Sequence, residues 1–187
     1  ISTNAIAAPK EIVQAEQYLN TLYSVQAQFV MSGSGGYEQK GTFYLKRPGK
    51  LRFEFDELDD FIVADGRFIY FYDSELGEQS NAPIGVTLAD FLLREKISLN
   101  DDDIEVHRIM HGGGLIQITL RQKDDPEAGE LILGFDEEPF KLKKWRVIDS
   151  LGSITEVELT NVEEAVDLPS RLFVYRDPSH GQGRLNE

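Results

Sequence analysis

Apolar residues recur at three- and four-residue steps near the start of the chain. Ile12, Ala15, Leu19 and Leu22 mark one stripe of a helix expected over residues 9–22, with Pro9 at its opening and Glu11 in its first turn. The period then changes to two. Tyr23, Val25, Ala27, Phe29 and Met31 share one face of a strand, and a Gly/Ser turn follows at residues 32–36. Gly41, Phe43, Leu45 and Arg47 share a face of the next strand. After a turn at residues 47–50, Leu51, Phe53 and Phe55 alternate with Arg52, Glu54 and Asp56. Such alternation describes an antiparallel sheet with one buried face.

Residues 61–64 and 68–72 form a further pair joined by Asp65-Gly66, a strong hairpin signal. The second arm, Phe68-Ile-Tyr-Phe-Tyr72, is apolar on both faces, so both must be covered. A short strand is expected within residues 75–81. Residues 83–96 interrupt the pattern with a short apolar helix carrying Leu88, Phe91 and Leu92, with Thr87 as its candidate cap. Strand signals resume at 104–111, 115–121, 130–135, 140–148 and 153–160. In the fourth of these the apolar parity changes between Leu142 and Trp145, which predicts a β-bulge near Lys143-Lys144. A last short strand is expected at 171–175, before a polar tail from about residue 177 that should be loose. Ten or eleven short strands with two helices predict a mainly β fold, one strongly curved sheet or barrel, in a single domain over residues 1–187.

Composition narrows what such a sheet does. The net charge of −14 makes nucleic acid a poor partner and repels anionic headgroups, although acidity also serves plain solubility. With no cysteine there is no disulfide, thiol nucleophile, cysteine zinc site or lipidated N-terminal Cys. No run approaches the roughly 18 apolar residues of a membrane span, so an integral membrane protein is not expected. The first nine residues lack a charged n-region and apolar core, so a signal peptide, if there was one, has been removed.

The search for chemistry returns no catalytic set, no metal site and no cofactor motif. His107 and His111 lie about 13 Å apart along one strand face, too far to share a metal, and His180 falls in the tail. Asp101-Asp102-Asp103 lacks the ordered ligands and glycine of a calcium loop and reads as an acidic turn. The Ser/Gly segment at 32–36 is no phosphate-binding loop, and no G-x-S-x-G elbow is present. An enzyme is therefore not expected.

The distinctive residues are apolar. Phe29, Phe43, Leu45, Leu51, Phe53 and Phe55 on the sheet, with Phe91 and Leu92 from the short helix, either fill a core or line a cavity. Arg47 shares their face, where a lone charge is costly unless hydrogen-bonded. It sits at the sheet rim, or it reaches buried carbonyls or carboxylates.

The series Gly41-Thr-Phe-Tyr-Leu-Lys-Arg47-Pro48-Gly49-Lys50-Leu51-Arg-Phe53-Glu-Phe55, followed by Val63-Ala-Asp65-Gly66-Arg-Phe-Ile-Tyr-Phe-Tyr72, resembles the outer-membrane lipoprotein carrier family, LolA. Gln28-Phe29, Phe91-Leu92-Leu93 and Asp149-Ser-Leu-Gly152 add to the likeness, whereas the part after Thr160 matches loosely and the chain is more acidic than enteric members. The resemblance implies an unclosed antiparallel β-barrel of about eleven strands, with α-helices forming a lid over an apolar cavity. It implies a periplasmic carrier that shields lipoprotein acyl chains, takes its cargo from an inner-membrane ABC transporter and delivers it to an outer-membrane receptor. In that family the arginine of the Arg-Pro turn bonds the lid backbone, which gives Arg47 the role of lid closure, and Leu51 and Phe53 bear on cargo. The same fold also serves lipid or lipoprotein sensors and carriers of other lipids, so a sensing module stays open as the alternative.

Overall fold

The structure, a computed structural model, describes residues 7–178. The apolar stripe forms helix α1 (Lys10–Thr21), with Ile12, Ala15 and Leu19 buried and Pro9 just before its first turn. The strands are β1 (Ser24–Gly33), β2 (Glu38–Lys46), β3 (Lys50–Phe55), β4 (Phe61–Asp65), β5 (Phe68–Asp73) and β6 (Glu78–Pro83), then β7 (Ile104–Gly112), β8 (Leu115–Gln122), β9 (Gly129–Asp136), β10 (Lys141–Asp149) and β11 (Ile154–Glu164). All eleven join one antiparallel sheet in the order β6-β5-β4-β3-β2-β1-β11-β10-β9-β8-β7. No ladder joins β6 to β7, so the barrel is unclosed. Nine of the ten ladders join strands consecutive in sequence; the one non-sequential pair, β1 with β11, joins the two halves.

Period-two alternation becomes burial as expected. Val25, Ala27, Phe29 and Met31 of β1, Phe43 and Leu45 of β2, and Leu51 and Phe53 of β3 all face the interior. The interior is covered by α1 and by residues 88–99, whose Leu88, Phe91, Leu92, Leu93, Ile97 and Leu99 join the same buried cluster. The bulge read from the parity of β10 is present, as a register shift between Leu142 and Lys144. The Asp65-Gly66 hairpin forms, its Asp65 carboxylate accepting the Arg67 and Phe68 N–H groups at 2.9 Å.

Four expectations change. The short helix is a 3-10 turn (Leu88–Leu93) with non-helical geometry at Asp90, and Thr87 makes no side-chain cap. Residues 88–93 are too densely apolar to follow a helical stripe, and burial on more than one side selects the tighter turn. The last strand does not form: Ser170–Phe173 is a 3-10 turn and residues 174–177 run without ladder partners. Third, a register shift between Val106 and Arg108 makes His107 the extra residue of a bulge, so its parity with His111 is broken. Fourth, the cover expected on both faces of β5 is only partial: Phe68 on one face and Phe71 on the other remain exposed, and the late segment reaches the strand at Tyr70. Tyr175 stacks on Tyr70 at 4.8 Å, Phe173 is buried, and Arg52 donates to the Leu172 carbonyl at 3.3 Å on the outer face. The tail expected to be loose falls almost wholly outside the described residues.

Candidate functional site

The turn after β2 positions the site. Gly49 takes φ +78°, and a β-carbon there would meet the Gly66 Cα of the neighbouring hairpin at 2.9 Å. Its N–H donates to the Leu93 carbonyl at 2.8 Å, tying the turn to the covering segment. The positive φ and the close approach to Gly66 both require glycine.

Arg47 ends the inward face of β2 and is only 6 % exposed. Its Nη1 donates to the carbonyls of Leu19 (2.6 Å) and Leu22 (2.7 Å), at the end of α1. Its Nε and Nη2 donate to the Arg94 carbonyl (3.0 and 2.9 Å), and Nη2 also reaches Glu95 (2.9 Å). Of the two readings open from the sequence, the structure selects buried carbonyls. A helix end leaves its last carbonyls short of partners; the Leu22 N–H reaches the Leu19 carbonyl at 3.2 Å, and the guanidinium fork adds charge-assisted donors to both Leu19 and Leu22. Burial draws the Arg47 pKa below its ordinary value, with the neighbouring Tyr23 acting the other way. The guanidinium also lies over the Tyr23 ring, 5.4 Å from its centroid. Every donor therefore has a partner, and none of the hydrogen-bond partners is a carboxylate.

Beneath this anchor the apolar candidates gather in one cluster. Phe29, Phe43, Leu45, Leu51, Phe53, Phe91 and Leu92 are buried in it, with Phe55 packed against it. Phe29 meets Phe53 and Phe55 edge-on at 5.0 and 5.4 Å, and Phe43 lies 4.8 Å from Phe53. Trp145 of β10, 5.7 Å from Phe43, was not singled out from sequence; its inward parity past the bulge was the available signal. Between α1 and the sheet, beside Tyr18, Phe43, Leu45 and Leu92, the remaining space is about 10 Å³, no more than one water needs. At this point beneath α1 the interior is filled by its own side chains. Where β3 to β6 run past the cover, an open groove of about 520 Å³ begins at Met31 and Phe55 and continues over Ile62, Phe71 and Leu76, with Asp60, Asp73 and Glu78 on its rim.

Sequence reading missed Asn20, Glu16 and Asp90. Each is a polar residue within an apolar element, and nothing in a single sequence separates such a residue from an ordinary solvated one. Asp90 is buried and accepts the Gly85 N–H at 2.6 Å. Desolvation raises its pKa above the ordinary 3.8, against the lowering effect of that bond. A carboxyl with a raised folded-state pKa costs stability as pH rises from its unfolded value through its folded one. Asp90→Asn, which keeps an acceptor for Gly85, is thus expected to raise the melting temperature near neutral pH. The gain should vanish below the ordinary carboxyl pKa, which thermal melts across pH will read.

The histidines and acids hold no metal-ligating group of three among the described residues. His111 lies between Glu11 (3.1 Å) and Glu137 (3.2 Å), one carboxylate at each ring nitrogen. Asp103 of the acidic turn pairs with Arg94 at 2.6 Å. No described helix is long and apolar enough to cross a membrane.

Residues 19–176 match the family described as outer membrane lipoprotein carrier protein LolA. The outer-membrane lipoprotein carrier protein of Methylococcus capsulatus is 26 % identical over 173 residues, spanning 88 % of this chain and 82 % of that one. Its namesake from Legionella pneumophila is 28 % identical over 179 residues, spanning 90 % and 85 %. A LolA superfamily protein from Nitrosomonas europaea shares the fold at 11 % identity, with a TM-score of 0.50 over 91 % of this chain and 99 % of that one.

Proposed function

The chain belongs to the LolA family of outer-membrane lipoprotein carrier proteins, and from that premise we propose that it carries the acyl chains of lipoproteins across the periplasm. α1 and residues 88–99 act as a lid, Arg47 closes it, and Phe29, Phe43, Leu45, Leu51, Phe53, Phe55, Phe91 and Leu92 receive the cargo. The donor is an inner-membrane ABC transporter and the acceptor an outer-membrane receptor. The protein works by transfer and not by catalysis.

The observation that carries this reading is the bonding of Arg47. A structural arginine in a core is ordinarily matched by a carboxylate, and separating that pair costs several kcal/mol. Here the acceptors are neutral carbonyls on two separate covering segments. When those segments lift, water replaces carbonyls at the guanidinium and guanidinium at the carbonyls, so the exchange is nearly balanced. Such a latch is reversible.

Transfer has the same balance. An acyl chain of about a dozen methylenes costs ~10 kcal/mol in bare water, at about 0.8 kcal/mol each. An apolar interior removes most of that cost, leaving bilayer-to-carrier exchange nearly neutral. The side chains filling the space beneath α1 are consistent with an unloaded state whose rings must move aside, and the groove beginning at Met31 and Phe55 gives a chain a route to them.

Native mass spectrometry with a triacylated peptide and its unacylated counterpart tests the proposal. The acylated peptide is expected to bind one to one and the other not at all. Failure to take up acyl chains, in the native protein and in an Arg47→Leu protein alike, would overturn it.

A further inference from the structure

Two kinds of bond hold the covering segments, and they differ in what they join. Arg47 and the Gly49 N–H join cover to sheet. Asn20 and Glu16 join one half of the cover to the other. The Asn20 carboxamide accepts the Ile97 N–H at 2.9 Å and donates to the Ile97 carbonyl at 2.8 Å, while also donating to the Glu16 carbonyl at 2.8 Å. The Glu16 carboxylate accepts the Leu99 N–H at 2.9 Å. The side-chain amide of Asn20 thus pairs with Ile97 as a neighbouring peptide unit does in a ladder. Residues 97–99 are laid along α1 with Ile97 and Leu99 turned into the core.

We infer that Asn20, supported by Glu16, is a positioning residue that makes α1 and residues 88–99 one rigid lid, so that releasing Arg47 frees both halves in a single step. The inference rests on the carrier reading for its purpose, but its geometry stands without cargo. Arg47 touches both halves, at Leu19 and Leu22 on one and at Arg94 and Glu95 on the other. Were the halves independent, each would open against only part of that anchor and expose its own apolar face. Joined, they lift against the whole anchor and keep Ile97 and Leu99 paired in the open state. Substitution at Asn20 removes the pairing without touching the sheet.

Three backbone amides report the two kinds of bond separately. The Gly49 amide reads the seam between cover and sheet, and the Ile97 and Leu99 amides read the joint within the cover. In Arg47→Leu, exchange at Gly49 is expected to quicken roughly tenfold or more, while Ile97 and Leu99 hold within about threefold of their native rates. In Asn20→Ala the Ile97 amide should quicken roughly tenfold while Gly49 stays within about threefold. Arg47→Lys, which keeps the charge and loses the fork, serves if the leucine protein does not fold. If Ile97 and Leu99 quicken together with Gly49 on loss of the Arg47 fork, or if Asn20→Ala leaves Ile97 protected, the one-body lid is overturned. Because no cargo is present, neither result bears on acyl-chain binding, which the mass-spectrometric experiment decides on its own.

Discussion

Arg47→Leu is expected to lower stability by about 3 kcal/mol, read from urea unfolding, and to make the protein hold an acylated peptide more tightly. Replacing a buried charge with an apolar side chain is often neutral, because the desolvation cost of the charge disappears as well. Here that compensation fails. The acceptors are the carbonyls of Leu19, Leu22, Arg94 and Glu95, which belong to the backbone and stay behind when the guanidinium is gone. The Leu19 carbonyl keeps the Leu22 N–H at 3.2 Å, but each of the others left without a donor costs about 1–3 kcal/mol, and leucine burial offsets part of the sum. Once the lid lifts, the same carbonyls meet water, so the loss falls mainly on the closed, unloaded state. Cargo that favours the open state then binds with less to oppose it. A shift of about 3 kcal/mol corresponds to roughly a hundredfold in affinity, at about 1.4 kcal/mol per tenfold. Release to an acceptor bilayer should slow to match, as a liposome transfer assay will show. Unchanged uptake and unchanged release would remove Arg47 from the lid-closing role.

Gly41→Val should cost about 3 kcal/mol or more, and Phe29→Ala should not rescue it. Gly41 of β2 lies between Phe29 of β1 and Phe55 of β3, and the two rings close edge-on across it at 5.4 Å. A β-carbon at this position would lie 2.9 Å from the Phe29 ring and would collide with the backbone carbonyl of Glu54. The first contact is relieved by removing the ring. The second is not, because a carbonyl in the β2–β3 ladder moves only if the ladder does. Flanking aromatics that cover a strand glycine are a recognised way to keep a sheet bent without losing apolar burial. Thermal melts of Gly41→Val, Phe29→Ala and the double variant separate the two causes. A double variant as stable as Phe29→Ala alone would show that the ring, not the backbone, sets the requirement.

Much of this was legible in the chain. Alternation in residues 24–55 named the inward residues of three strands, because a two-residue period leaves only one assignment of faces once one of them is apolar. The bulge at Lys143 was readable for the same reason, since an inserted residue reverses parity downstream. Residues 88–93 were misread as a helix because dense apolar runs carry no period, and 171–175 were misread as a strand because an apolar run does not say whether it joins a ladder or lies across one.

What the sequence alone determined is the set of local periods: a helix stripe, a succession of half-buried strands, the Asp-Gly turn and an arginine on an apolar face. These follow from residues a few positions apart. The tertiary structure decided what that arginine bonds, which segment packs on Tyr70 at the outer face of β5, and that Asn20 pairs with Ile97, 77 positions further along the chain. Carbonyl acceptors carry no residue identity, since every residue supplies one. Only the fold selects the four that Arg47 holds.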